Sequence, residues 1–279
     1  MCSRYTMRYM NYAVRRKITI AGALMTLEIP EQALRYGFVN SPVGTHGSRT
    51  IILTELRALF AACPASTELD GYRTAIVDDN VLLKKTETTR RESFRRLREL
   101  YALDSGVLLF RALRDLWDAD TAAQPLLALL CACARDIILR GTAEVILATP
   151  LNAPVTPQAI AKAADESLPG RYNAMSLANI GRHAASSWQQ SGHLSGRLHK
   201  VRSCAEARPA SVAYALLLGY LCDARGEGLF HTLWRRFLDT SVPALHSQAI
   251  MASQLGWIDY RHSGNITDIG FRYFLDGER

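Results

Sequence analysis

Residues 155–202 read VTPQAIAKAADESLPGRYNAMSLANIGRHAASSWQQSGHLSGRLHKVR, and this stretch decides the fold. Thr156-Pro157 predicts a helix start, because the threonine hydroxyl can cap the helix and proline suits its first position. Leu168-Pro169-Gly170 stops that helix. A second helix is predicted over residues 173–191, and residues 193–201 then alternate apolar and polar side chains around Ser195-Gly196, which predicts a β-hairpin. Helix, helix and basic hairpin is the order of a winged helix.

The second helix of this segment has two contrasting faces at about 100° per residue. Its apolar face comprises Leu177, Ile180, Gly181, Ala184 and Trp188. Its opposite face comprises Asn179, Arg182, His183, Ser186 and Gln190. Polar side chains of these types contact base edges and phosphates, and the hairpin adds Arg197, Lys200 and Arg202, so the sequence predicts duplex DNA contact here. The alternative interpretation is a small helical domain with an ordinary solvated face.

A second basic unit lies upstream, with a helix predicted over residues 69–83, a polar break at 84–86 and a helix over 87–103. The cations expected to face DNA are Lys84, Lys85, Arg90, Arg91, Arg95 and Arg98. Helix, turn and basic helix is the layout that brings a recognition helix into a major groove. Glu92 and Glu99 lie three and four residues from arginines, so a charge-laced surface helix fits equally well.

Chain length and net charge limit the number of domains and the type of binding partner. A chain of 279 residues suffices for one large or two ordinary domains, and the prolines within residues 152–157 favour a division into an N-terminal helical domain (1–150) and a C-terminal domain (151–279). The net charge of +7 favours a polyanionic partner. Residues 1–17 carry five cations and no acid, which suits either a nucleic-acid arm or a frayed terminus.

The rest of the pattern predicts a mostly α protein with short β-hairpins. Residues 18–36 read as helical with an interruption at Pro30, and Ser48 is expected to cap a helix that reaches Cys63. Residues 125–140 form the most apolar predicted helix. Residues 257–269 predict a closing hairpin, which we assign to packing rather than to DNA contact because Asp259 and Asp268 disfavour phosphate.

Chemistry-bearing patterns are sparse. The sequence has no glycine-rich phosphate loop, no nucleophile elbow and no zinc-binding helix pattern, so we expect neither catalytic residues nor a cofactor nor a metal. Cys131 and Cys133 lie in an apolar run and are expected to be buried small apolar residues. The longest apolar run is too short to span a bilayer, and no secretory signal is apparent, so a cytoplasmic protein is expected.

Several segments resemble the BrxA family of bacterial BREX (bacteriophage exclusion) phage-defence systems. The resemblance is carried by residues 79–86 (DNVLLKKT) with the arginine-rich helix at 89–103, by residues 186–194 (SSWQQSGHL), and by the helix and hairpin at 249–269. It covers most of the chain from about residue 18, without the basic N-terminus. It implies a mostly helical protein with helix-turn-helix or winged-helix features that acts as a non-enzymatic DNA-binding component of such a system.

Two hypotheses follow. In the first, the chain binds double-stranded DNA mainly through phosphate contacts, and a transcriptional regulator of its operon is a narrower form of this hypothesis. In the second, it is an assembly adaptor that docks other BREX proteins. Strong salt dependence of DNA affinity is expected only under the first hypothesis.

Overall fold

The computed structural model describes residues 18–20, 23–25, 29–41, 44–264 and 266–276. The basic residues 1–17, for which a nucleic-acid arm or a frayed terminus was considered, lie outside the described residues. The described chain is mostly helical. Its α-helices are α1 (Leu53–Ala62), α2 (Leu69–Val77), α3 (Glu87–Tyr101), α4 (Leu108–Trp117), α5 (Gln124–Arg135), α6 (Ile137–Gly141), α7 (Ala143–Leu147), α8 (Pro157–Ser167), α9 (Ala174–Gln190), α10 (Pro209–Leu221), α11 (Leu233–Arg236), α12 (Val242–Gln254) and α13 (Arg272–Leu275).

Within the described residues, the strands form three two-stranded antiparallel sheets. They are β1 (Ile18–Ile20) with β2 (Ala23–Met25), β3 (Leu194–Ser195) with β4 (Val201–Arg202), and β5 (Asp259–Ser263) with β6 (Ile266–Gly270). The closing hairpin expected at residues 257–269 is therefore present. Short 3₁₀ helices occupy Glu31–Tyr36, Thr45–Gly47 and Gly226–His231.

Side-chain caps define the starts of α8 and α9. The hydroxyl of Thr156 accepts a hydrogen bond from the amide of Ala159 (3.2 Å), and the side chain of Asn173 accepts one from Ser176 (2.9 Å). These contacts satisfy amides that have no partner within the first turn of a helix. The local sequence therefore determines where α8 and α9 start, and the predicted start positions of both helices are confirmed.

Several predicted elements differ from the structure. The helix expected over residues 69–83 ends at Val77. In the range 18–36, the described residues Ile18–Ile20 and Ala23–Met25 form strands where a helix was expected, and after Pro30 a 3₁₀ helix occupies Glu31–Tyr36. Ser48 does not cap α1, which begins only after Ile52. The apolar helix expected at 125–140 breaks at Asp136, whose carboxylate caps the separate helix α6.

The core surrounds α5 and α10, which pack against each other and bury almost their whole length. One continuous apolar cluster reaches from Ile29 to Phe274 and includes residues on both sides of the 152–157 segment. The division into two domains at this segment stays a prediction. Cys131 and Cys133 are fully buried in this core, as expected.

The paired helices α8 and α9 lie beside this core: α8 packs against α6 and α7, and α9 packs against α5 and the Thr45–Gly47 3₁₀ helix. Gly181 makes their close approach possible, because a Cβ atom there would stand 2.2 Å from the carbonyl oxygen of Pro157. Trp188, fully buried, anchors the other end of α9 through a 2.9 Å hydrogen bond from its indole nitrogen to Thr142 Oγ1. The opposite face of α9 is left toward solvent.

Candidate nucleic-acid interface

The outer face of α9 presents one exposed cation on a helix without acids. Arg182 is exposed, and its guanidinium donates a hydrogen bond to the side-chain oxygen of Asn179, one turn earlier. Ser186, half-buried, donates to the Arg182 carbonyl oxygen (3.0 Å). Three of the residues assigned to DNA contact from the sequence therefore lie together on this face.

His183 faces the protein more than the solvent. Its ring lies 3.3 Å from the carbonyl oxygen of His46, and burial lowers the pKa of the His183 imidazole. A neutral, half-buried imidazole is a weak phosphate ligand. We therefore assign His183 to the margin of the candidate interface.

The basic hairpin forms, but with a longer loop than the sequence suggested. Leu194 pairs with Arg202 and Ser195 pairs with Val201, so residues 196–200 form the loop instead of a tight turn around Ser195-Gly196. We call this loop the wing tip. Arg197 is exposed on it, whereas Lys200 is half-buried and donates a hydrogen bond to Gln189 of α9. Partial burial lowers the pKa of the Lys200 ammonium group.

Arg202 needs correction as a DNA-contacting residue. Its side chain is buried, its Nε donates to the carbonyl oxygen of Ile146 (2.9 Å), and its guanidinium forms an ion pair with Asp239. Residues directly opposite each other in an antiparallel pair share a face of the sheet. Because Leu194, the partner of Arg202, is buried, Arg202 also faces the interior, and it holds the wing onto the protein instead of reaching phosphate.

The α9–wing surface, which we define as Asn179, Arg182, Ser186, Arg197 and Lys200, lies in a stretch free of acids. No aspartate or glutamate occurs from residue 167 to residue 205. Neither Arg182 nor Arg197 has a carboxylate partner in the part of the chain that the structure describes. The positive charge of this surface is therefore not neutralised by acidic residues of its own segment.

In the α2–α3 unit, by contrast, much of the positive charge is paired with glutamates of the same helix. Arg91 pairs with Glu87 (2.5 Å), and Arg95 pairs with both Glu92 (2.8 Å) and Glu99 (2.9 Å). These contacts hold the pKa of Glu87 and Glu92 below the ordinary glutamate value, chiefly through hydrogen bonds from the arginines. The charge-laced surface helix, one of the two interpretations of this segment, matches the contacts observed.

The remaining cations of this unit are divided between exposed and occupied positions. Lys84 forms a 3.0 Å ion pair with Glu55, and Arg90 is half-buried. Lys85 and Arg98 are exposed. Residues 78–86 separate α2 from α3, a connection longer than the three or four residues usual in a helix-turn-helix. The unit therefore offers only two freely exposed cations, Lys85 and Arg98, to phosphate.

A buried cluster that the sequence did not reveal joins α9 to the N-terminal part of the chain. The His46 ring lies 2.8 Å from Asp136 Oδ2 through Nδ1 and 2.8 Å from Ser187 Oγ through Nε2. This is the residue order of a serine hydrolase triad. All three side chains are buried, however, and the Ser187 hydroxyl donates to the His183 carbonyl oxygen (2.9 Å) while it accepts from the amide of Ile51 (3.0 Å).

This triad-like cluster is therefore a structural element. A nucleophile must reach its substrate, and Ser187 is fully buried with its hydroxyl held by the Ile51 amide and the His183 carbonyl oxygen. Asp136 additionally accepts hydrogen bonds from the amides of Ile138 (2.9 Å) and Leu139 (3.2 Å), which start α6. Burial alone would raise the pKa of Asp136, yet the His46 imidazole and the backbone amides of Leu139 and His46 hold it below the ordinary aspartate value.

The thiol of Cys131 is likewise fully buried in the core. Burial raises the pKa of the Cys131 thiol to about 11, far from the range of a reactive thiolate. Among the described residues, no group of three or more histidine, cysteine, aspartate and glutamate side chains is placed to hold a metal ion. Within the same residues, no helix combines the length and apolar character that crossing a bilayer requires.

Comparison of the chain with models of known protein families gives no match, and comparison with curated proteins gives none either.

Proposed function

We propose that this protein is a non-enzymatic double-stranded DNA-binding protein and that the α9–wing surface is its principal contact. The observation that carries the proposal is the exposure of Arg182 and Arg197 in a segment without acids from residue 167 to 205. Cations without carboxylate partners gain more from phosphate than cations already paired. The order of α8, α9 and hairpin supports a winged-helix mode of binding.

In this mode α9 lies in the major groove. Arg182 and Asn179 face the base edges, and their mutual hydrogen bond holds the guanidinium in place before binding. Arg197 and Lys200 contact the phosphates beside the groove. The α2–α3 unit adds a weaker, auxiliary contact through Lys85 and Arg98, because Arg91 and Arg95 already form ion pairs with glutamates.

The resemblance to the BrxA family points to the biological system in which this DNA binding would take place. Under it, the chain is the DNA-binding component of a BREX phage-defence system and works beside the other proteins of that system. Binding mainly through phosphate suits such a role, because phage genomes share a backbone and not a sequence.

The test is a fluorescence-anisotropy titration of the purified chain with a random duplex at several salt concentrations. We expect affinity to fall steeply with salt, and the double variant Arg182→Gln/Arg197→Gln to reduce the slope by about one to two units. Both side chains are exposed, so the variant should fold. The matched control is Arg91→Gln/Arg95→Gln, which removes the same formal charge from paired arginines and should change the slope less.

Two results would refute the proposal. Absence of binding even at low salt would exclude a DNA-binding function of the isolated chain. Binding with equal slopes for the wild type and the Arg182/Arg197 variant would move the contact away from the α9–wing surface.

An assembly adaptor is a second candidate, favoured by one observation on α12. Met251 in α12 and Leu255 at its C-terminal cap, four residues apart, are 48% and 56% exposed, and the neighbouring Ile250 is 47% exposed. A contiguous exposed apolar face is typical of a protein-docking surface. A partner complex that survives nuclease treatment and is lost on Met251→Lys, in a chain without DNA affinity, would select the adaptor role.

A further inference from the structure

The wing tip carries an apolar residue at its most exposed point. Leu198 is 88% exposed, the largest exposed fraction among the large apolar side chains of the described residues. It is flanked in sequence by the exposed side chains Arg197 and His199. Leu198 and Arg197 together offer an apolar and a cationic contact side by side, which suits a ligand that has both an apolar and an anionic part.

The wing tip is held firmly at its base. The Ser195–Val201 pair closes the loop, the amide of Val155 donates to the Lys200 carbonyl oxygen (2.9 Å), and Lys200 donates to Gln189 of α9. Gly196 has a φ of +91°, and a Cβ atom there would stand 2.1 Å from the His199 carbonyl oxygen. The loop is therefore folded tightly on itself, and Leu198 is presented from a base fixed to α9.

Exposed leucines elsewhere lack this setting. Leu83 is 86% exposed, nearly as much as Leu198, but it precedes Lys84, whose ammonium group is already paired with Glu55. The wing tip differs from the Leu83 segment in that its exposed leucine directly follows Arg197, an arginine without a carboxylate partner among the described residues, and lies on a loop anchored to α9.

We infer that Leu198 is a wedge that enters the DNA minor groove and partly unstacks one base step, while Arg197 and His199 contact the groove edges and phosphates. This inference rests on the proposed DNA-binding function and specifies how the wing takes part in it. Proteins that bind the minor groove insert apolar side chains between base steps and kink the duplex by about 20–90°. An arginine beside such a wedge gains from the negative potential of a narrow minor groove.

The experiment uses the full chain and short duplexes with 2-aminopurine at successive positions, together with end-labelled duplexes that report bending by energy transfer. We expect wild-type protein to raise the 2-aminopurine fluorescence and to shorten the end-to-end distance. Leu198→Ala should abolish both signals and leave the salt slope of binding unchanged. Leu198→Met, which retains an apolar wedge, should keep them, and the matched control Leu83→Ala should behave as wild type.

The outcomes separate the wedge from DNA binding itself. Salt-dependent binding without any rise in fluorescence or any bend would overturn the wedge and leave the proposed function standing. Absence of binding at low salt would refute the proposed function, and the wedge with it. Loss of a protein partner on Leu198→Ala, with all DNA signals intact, would assign the wing tip to a protein and overturn the inference.

Discussion

Acidification should destabilise this protein through one buried histidine at the root of the wing. His193 is fully buried, its Nε2 lies 2.9 Å from the carbonyl oxygen of Phe237, and its Nδ1 lies 2.8 Å from the hydroxyl of Ser191. A carbonyl only accepts, so Nε2 donates and the neutral ring accepts at Nδ1. Burial lowers the pKa of His193 to about 4, an effect that Asp239 opposes and Arg202 reinforces.

The size and sign of the effect follow from linkage. An unfolded histidine has a pKa of about 6.5, so between about pH 6.5 and pH 4 the unfolded chain binds more protons than the folded one. Stability therefore falls as the pH falls through this window. Between pH 7 and pH 5 the loss from His193 alone amounts to about 2 kcal/mol of unfolding free energy.

Urea unfolding at pH 7 and at pH 5, followed by circular dichroism, measures this loss. The control is His193→Gln, whose amide can still donate to Phe237 but does not titrate. We expect the wild type to lose about 2 kcal/mol more than the variant over the two units, whatever the variant's stability at pH 7. Equal losses would mean that His193 is not held neutral by burial, and the reasoning would fail.

Two further predictions concern buried carboxylate partners. Asp136→Ala should lower the unfolding free energy by about 3–5 kcal/mol, because His46 and the α6 amides lose their acceptor; urea titration at pH 7 measures it, and a loss under about 1 kcal/mol would contradict the structural role of the cluster. Arg202→Met should cost a similar amount, since Asp239 would be left buried without a cation, and Arg202→Met/Asp239→Leu should recover much of it. If Arg202 instead contacted phosphate, the salt slope of DNA binding by the folded variant would decrease.

Local signals in the sequence were enough to place the helices around the candidate site. Thr156-Pro157 and Asn173 mark the starts of α8 and α9, and the 3.6-residue period separates Trp188 from Arg182 correctly. Capping and periodicity act over a few residues, so a single sequence contains them. The pairing of α3 arginines with Glu92 and Glu99 could be predicted for the same reason, because the partners lie only three and four residues apart.

Contacts between residues far apart in the chain could not be predicted from the sequence, because no local pattern encodes them. His46 meets Asp136 and Ser187 across 90 and 141 residues of chain, and Arg202 meets Asp239 across 37. The error at Arg202 came from the hairpin register. A turn at Ser195-Gly196 would have left Arg202 beyond the paired strands, whereas the observed loop pairs it with the buried Leu194. Register depends on what the two faces pack against, which the hairpin sequence does not contain.

The buried cluster of His46, Asp136 and Ser187 bears on whether the proposed DNA-binding unit of α8, α9 and the hairpin could fold apart from the rest of the chain. A fragment that starts at residue 151 keeps α8, α9 and the wing intact, yet it strips Ser187 of its imidazole partner and Trp188 of Thr142. The part of α9 that packs against α5 and the Thr45–Gly47 turn would then meet water. Transplanting this unit onto another protein would therefore also require the Thr45–Gly47 turn and the start of α6. These two segments supply His46 and Asp136, which hold α9 in position through Ser187.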